Sequence, residues 1–166
     1  ESYSPNGLAP TNAAWNTRKL SVTIGNPVAC GASLNPSTNI ITLDPGTYVI
    51  SGMSLAFKVD ATSVRLSQVD DAGAYVSTVA LGSNQWSRYG NSHNNLQTMF
   101  YDHELRVTAP GTKYKLEHYF SNAVEHFQWG IAPGFGYLAS YAETYGVGAQ
   151  VTVRRKPDDY VRGSTC

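Results

Sequence analysis

Between Ile40 and Val59 the hydrophobic and polar positions alternate with a period of two. Val49, Met53, Leu55, Phe57 and Val59 fall on one parity, and Tyr48, Ser54, Ala56 and Lys58 on the other, as in a half-buried strand. The apolar set is expected to face a core. Ile50 and Gly52 interrupt the polar side, so that side is expected to meet protein as well. Pro45 and Gly46 precede the strand. Proline presets φ at the first central position of a tight turn and glycine accepts the positive φ that follows, which predicts a type II turn joining two strands.

The same signals recur along the chain. Leu20 to Ile24 alternates and stops at Gly25-Asn26-Pro27, which predicts a first strand. Gly31 to Asn39 reads as a polar loop. Residues 63–69 and 74–81 read as a hairpin around Asp70-Asp71-Ala72-Gly73. Gly82 to Asn95 reads as a loop with bulky side chains, and 96–101 and 104–108 as two strands. Ala109-Pro110-Gly111 then repeats the earlier corner and launches Tyr114 to Phe120, in which Tyr114, Leu116, His118 and Phe120 share a face. A glycine- and aromatic-rich segment follows from Phe127 to Gly148, then a last alternating strand from Gln150 to Arg155. Apolar residues nowhere persist at helical spacing. Short strands separated by turn signals predict an all-β, antiparallel two-sheet sandwich, and two similar halves with long connections favour a jelly roll.

The 166 residues suit one domain. Residues 1–19, rich in Asn, Pro, Ser and Ala, read as an N-terminal arm or connector, and 20–166 as the head domain. Lys and Arg number 12 against 12 Asp and Glu, and only 14% of residues are charged. No global field therefore draws the chain to nucleic acid or an anionic membrane. No apolar run reaches the roughly 20 residues of a membrane span, so no membrane insertion is expected. The chain starts at Glu1 rather than Met, and is read as a processed form or an excised part of a longer polypeptide. Cys30 and Cys166 are too few for a disulfide framework; a bridge between them and two separate thiols are both open.

The runs Ile41 to Ile50, Val64-Arg65-Leu66, Leu105 to Tyr119, Trp129 to Gly136 and Val147 to Val153 together resemble the jelly-roll head domains at the tips of bacteriophage tail fibres. Those heads in turn resemble the trimeric C1q and tumour-necrosis-factor jelly rolls. The resemblance spans about residues 40 to 155, and its motifs mark strands and corners more than function. It implies a homotrimer on a fibre or spike of a virion, beside other virion proteins. Loops at its exposed end would bind a bacterial surface receptor, a glycan or a protein. The arm has neither a heptad nor a collagen-like repeat to serve as the stalk.

Candidate chemistry changes this picture little. His103, His118 and His126 lie near Asp102, Glu104, Glu117 and Glu125. Neighbours on a strand point to opposite faces, so Glu117 with His118, or Glu125 with His126, cannot chelate together there. His118 shares its face with Leu116 and Phe120 and is read as a hydrogen-bonded core histidine. Asp70 and Asp71 are read as solvating a hairpin tip rather than holding calcium. The carboxylates could serve a polysaccharide-trimming hydrolase, but no nucleophile elbow, zinc-protease motif or phosphate loop is present. No catalytic residue, metal or cofactor is expected. Trp86, Arg88, Tyr89 and His93 are the candidate receptor contacts, because aromatic and arginine side chains dominate recognition surfaces. Phe127, Trp129, Phe135, Tyr137, Tyr141 and Tyr145 are read as trimer or core aromatics. A capsid decoration or a secreted C1q-like module is the alternative to receptor binding.

Overall fold

The residues at and around Pro45 and Pro110 turn the chain from one layer into another. In the structure, a computed structural model, residues 13–20, 23–57, 61–86, 95–121 and 149–157 are described. The strands are β1 (Ala14–Thr17), β2 (Ala32–Asn35), β3 (Ile40–Leu43), β4 (Gly46–Phe57) and β5 (Ala61–Val69), followed by β6 (Tyr75–Leu81), β7 (Gln85–Trp86), β8 (Asn95–Val107), β9 (Thr112–Phe120) and β10 (Ala149–Arg155). Among the described residues there is no helix. The first sheet runs β2-β3-β9-β5-β6, with β1 also on β9 and β7 also on β5; the second runs β10-β4-β8. All pairs are antiparallel. The expected all-β, two-sheet sandwich is therefore the architecture.

Leu43 pairs with Thr112 in the first sheet and Gly46 with Val107 in the second. The two corners thus lie side by side, and one antiparallel ribbon, β3–β4 against β8–β9, bends over the core. They differ in detail. Gly111 has φ 70°, as a type II turn needs, but Gly46 has φ 157° and already belongs to β4. The type II expectation fails at the first corner because φ 157° is far from the roughly +80° that the second central residue of such a turn adopts; a Cβ on Gly46 would stand 2.9 Å from Nε of the flexible Arg155 side chain. Arg155 in turn donates to Pro45 O at 2.7 Å. Tyr48 closes the corner from inside, its hydroxyl proton shared between Asp44 O at 2.9 Å and Gly31 O at 3.2 Å. Tyr48→Phe is expected to lower stability by about 1–2 kcal/mol, since buried carbonyls lose a donor, and denaturant titration measures it.

The parity of β4 is opposite to the expectation. Tyr48, Ile50, Ser54 and Ala56 are at most 1% exposed, whereas Val49, Met53 and Leu55 are only half-buried on the outer face. The reason is volume. Phe100, Leu116, His118 and Phe120 fill the space opposite, so the inward positions of the outer half of β4 must be small. A Cβ on Gly52 would come 2.4 Å from Phe100 Cζ.

Other boundaries also move. The expected strand at Leu20–Ile24 is not formed at its described positions, and Ile24 is 94% exposed. β1 comes earlier instead, so the last residues of the expected N-terminal arm belong to the first sheet. The expected loop 31–39 contains β2, and the expected loop 82–95 contains β7. The expected strands 96–101 and 104–108 are one strand, β8, interrupted by a bulge: Ile50 faces His103 and Gly52 faces Phe100, leaving Tyr101 and Asp102 opposite Ser51. Asp102 adopts φ 46° there; its N–H donates to Ser51 Oγ at 3.0 Å, and Arg154 donates to its Oδ1 at 2.7 Å. The hairpin at Asp70–Gly73 is as expected, with Gly73 at φ 81° and Asp70 Oδ1 accepting from Ala74 N at 2.8 Å.

Candidate functional site

Strand direction sorts the connections between the two ends of the sandwich. The ends of β4, β7 and β9 and the starts of β1, β5, β8 and β10 all lie at one end, as the registers Ala14 with Phe120, Ala61 with Trp86, Phe57 with Asn95 and Ala149 with Ser54 require. The tight corners and the Asp70–Gly73 hairpin lie at the other. The described chain therefore breaks off at this first end at Phe57, Trp86 and Ser121 and resumes there at Ala61, Asn95 and Ala149. Trp86 stands there, 68% exposed on the two-residue strand β7. Of the candidate receptor contacts, Trp86 alone can be placed; Arg88, Tyr89 and His93 lie outside the described residues. So do Phe127, Trp129, Phe135, Tyr137, Tyr141 and Tyr145, together with Glu125, His126 and Cys166.

Just inside that end, His118 joins the two sheets. Its Nδ1 shares a hydrogen bond with Ser54 Oγ of β4 at 2.6 Å, and its Nε2 one with Thr62 Oγ1 of β5; Thr98 Oγ1 of β8 is 3.5 Å from Nε2. His118, Ser54 and Thr98 are 0% exposed. Burial pushes the imidazole well below its ordinary pKa, and the charge of Arg18 adds to this. Arg18, just past β1, is 1% exposed, and burial lowers its pKa to about 9, so it remains a cation at neutral pH. A neutral ring with hydroxyl partners beside a cation is a core histidine, as its shared face with Leu116 and Phe120 predicts.

The carboxylates point elsewhere. Glu117 lies on the outer face of the first sheet, where its Oε2 accepts from Arg65 Nε at 2.8 Å and from Ser67 Oγ at 2.5 Å. The Arg65 guanidinium also lies 4.2 Å from the Trp15 ring centroid and 4.4 Å from that of Tyr75, so β1, β5, β6 and β9 are clasped together. Asp102 and Glu104 lie on the outer face of the second sheet, paired with Arg154 and Lys156. Glu117 therefore faces neither of them and cannot pair with either across one bond, while Asp102 and Glu104 are each engaged by a cation. Asp71 is held by Lys113 at 2.5 Å, and its pKa is lowered by that contact. Among the described residues no three His, Cys, Asp or Glu side chains gather as a metal site would need.

No protein-family model matches the chain, and no curated protein matches it. The arrangement of the sandwich must carry the functional reading. Sequence reasoning missed the Arg65 clasp and the buried Arg18. A signal for the first was available: Arg65 stands in an otherwise apolar and hydroxyl-bearing strand, and such a charge needs a partner once half-buried.

Proposed function

We propose that this chain is the receptor-binding head of a phage or phage-like fibre or spike. It is a jelly roll of the C1q and tumour-necrosis-factor type, assembled as a non-covalent homotrimer on the virion beside other virion proteins. It attaches to a bacterial surface receptor, a glycan, without catalysing a reaction. The observation that supports this best is that the described ends of β4, β7 and β9, the starts of β1, β5, β8 and β10 and the exposed Trp86 share one end of a sandwich whose other end carries the tight turns. A rigid β-scaffold presenting loops from one end suits recognition, because loop sequence can vary without disturbing the sheets.

Trp86 offers a ring face to the C–H surface of a sugar. Trp86→Ala is expected to weaken binding to bacterial surface polysaccharide about tenfold on a glycan array, the scale of an exposed aromatic anchor. Unchanged binding would remove Trp86 from the site, and absence of any binding to polysaccharide or to whole cells would count against attachment itself.

A further inference from the structure

The outward side of β4 is more apolar than a solvent-facing strand requires. Val49, Met53 and Leu55 point away from the core, while Gly52, Ser54 and Ala56 point into it. The neighbours extend the patch. Met99 pairs directly with Met53 on the β8 side, Gln150 pairs with Met53 on the β10 side, and Gln97 pairs with Leu55. Tyr101, at the bulge, is 70% exposed. These outward positions of the half nearer the Trp86 end carry no charge, whereas Asp102, Glu104, Arg154 and Lys156 form paired charges in the other half. The chain has 2 methionines, and both are in this patch, one directly opposite the other.

We propose that this outer face of the three-stranded sheet is where one copy of the chain packs on another. Methionine and tyrosine are enriched, and isolated charges depleted, at the centre of such interfaces, because flexible or amphipathic side chains adapt to a facing surface without leaving a charge stranded. A second copy suits the rim as well. The pairs Asp102 with Arg154 and Glu104 with Lys156 present both signs on each copy, so a neighbouring copy of this formally neutral chain can be met at the rim without net repulsion. This placement takes only the number of copies from the homotrimer reading above.

The test combines two measurements on the full chain. Light scattering of Met53→Glu combined with Met99→Glu is expected to give the mass of a single chain, with the far-ultraviolet circular dichroism of the parent. On the parent, oxidation of Met53 and Met99 by hydrogen peroxide, read by mass spectrometry, is expected to slow about tenfold as the concentration rises through the assembly range. The oxidation series decides the matter if the double variant does not fold. An assembled mass that survives both substitutions overturns the placement and leaves the homotrimer standing. Oxidation rates independent of concentration overturn it too, including the case in which another segment of the same chain covers the patch. An assembly of two chains with protected methionines would sink the homotrimer and keep the interface. A single-chain parent at every concentration overturns both.

Discussion

Gly82→Ala is expected to lower stability by about 3 kcal/mol, and the thermal midpoint by about 10 °C for a domain of this length. Gly82 joins β6 to β7 where the two sheets approach. Its N–H donates to Val64 O at 2.7 Å, and the next N–H, of Ser83, donates to Met99 O of β8 at 2.9 Å. A methyl group on Gly82 would meet Val64 Cγ1 at 2.6 Å, Met99 O at 2.8 Å and the Met99 carbonyl carbon at 2.9 Å. Two of those three atoms are backbone of a paired strand and cannot swing aside as a side chain could, so relief comes by separating the layers and losing both hydrogen bonds. Gly111→Ala is the comparison. It has φ 70° but open space around it, so its cost is backbone strain alone, about 1–2 kcal/mol. Equal losses in the two variants, measured by thermal unfolding, would show that the layers do not press on Gly82.

Acidification from pH 7 to pH 5 is expected to remove about 2 kcal/mol of stability through His118 alone. The unfolded chain takes up a proton at this histidine near pH 6.5, whereas the folded chain resists it, because burial and Arg18 hold the folded value well below that. Stability present above pH 6.5 is therefore lost as pH falls toward the folded value, at about 1.4 kcal/mol per pH unit. The charged groups that bear on the ring reduce to Arg18 among the described residues, since Glu117 points to the other face of β9 and is engaged by Arg65. His118→Leu is expected to flatten this slope while costing about 2–4 kcal/mol at pH 7, as Ser54, Thr62 and Thr98 lose their partner in the core. Urea midpoints of the parent and the variant across this pH range measure both effects. A slope that survives the substitution would assign the acid sensitivity to other groups.

The architecture was legible where one residue type admits one backbone. Asp70 to Gly73 specified its hairpin, Pro110-Gly111 its turn, and the alternation from Tyr114 to Phe120 placed four side chains in the core, His118 among them. Alternation failed on β4, because parity identifies two faces without saying which is inside. That choice was made by the bulk of Phe100, Leu116 and Phe120 on other strands, which left room only for Gly52, Ser54 and Ala56. Composition failed at β1 and β2. Short strands such as Ala14–Thr17 are selected by the edge of β9 that they complete rather than by their own propensity. At the candidate site, Trp86 was legible as a bulky group in a polar stretch. The Arg65 clasp was not, because Trp15, Tyr75 and Glu117 meet only once four strands are aligned.

The side-by-side corners also bear on how the molecule comes into being. Leu43 can find Thr112, and Gly46 can find Val107, only after the intervening half of the domain has been drawn into a closed loop. Neither layer has a complete local precursor: β4 waits for β8, and β3 waits for β9. Ordering of the chain is thus committed to distant pairings from the outset, and belongs to the millisecond-to-second regime of β-topologies, on the order of a thousandfold slower than helical bundles. Until that ribbon closes, the uncovered edges of β4 and β9 are open to any other nascent strand nearby, so crowding during synthesis becomes the hazard that this topology carries.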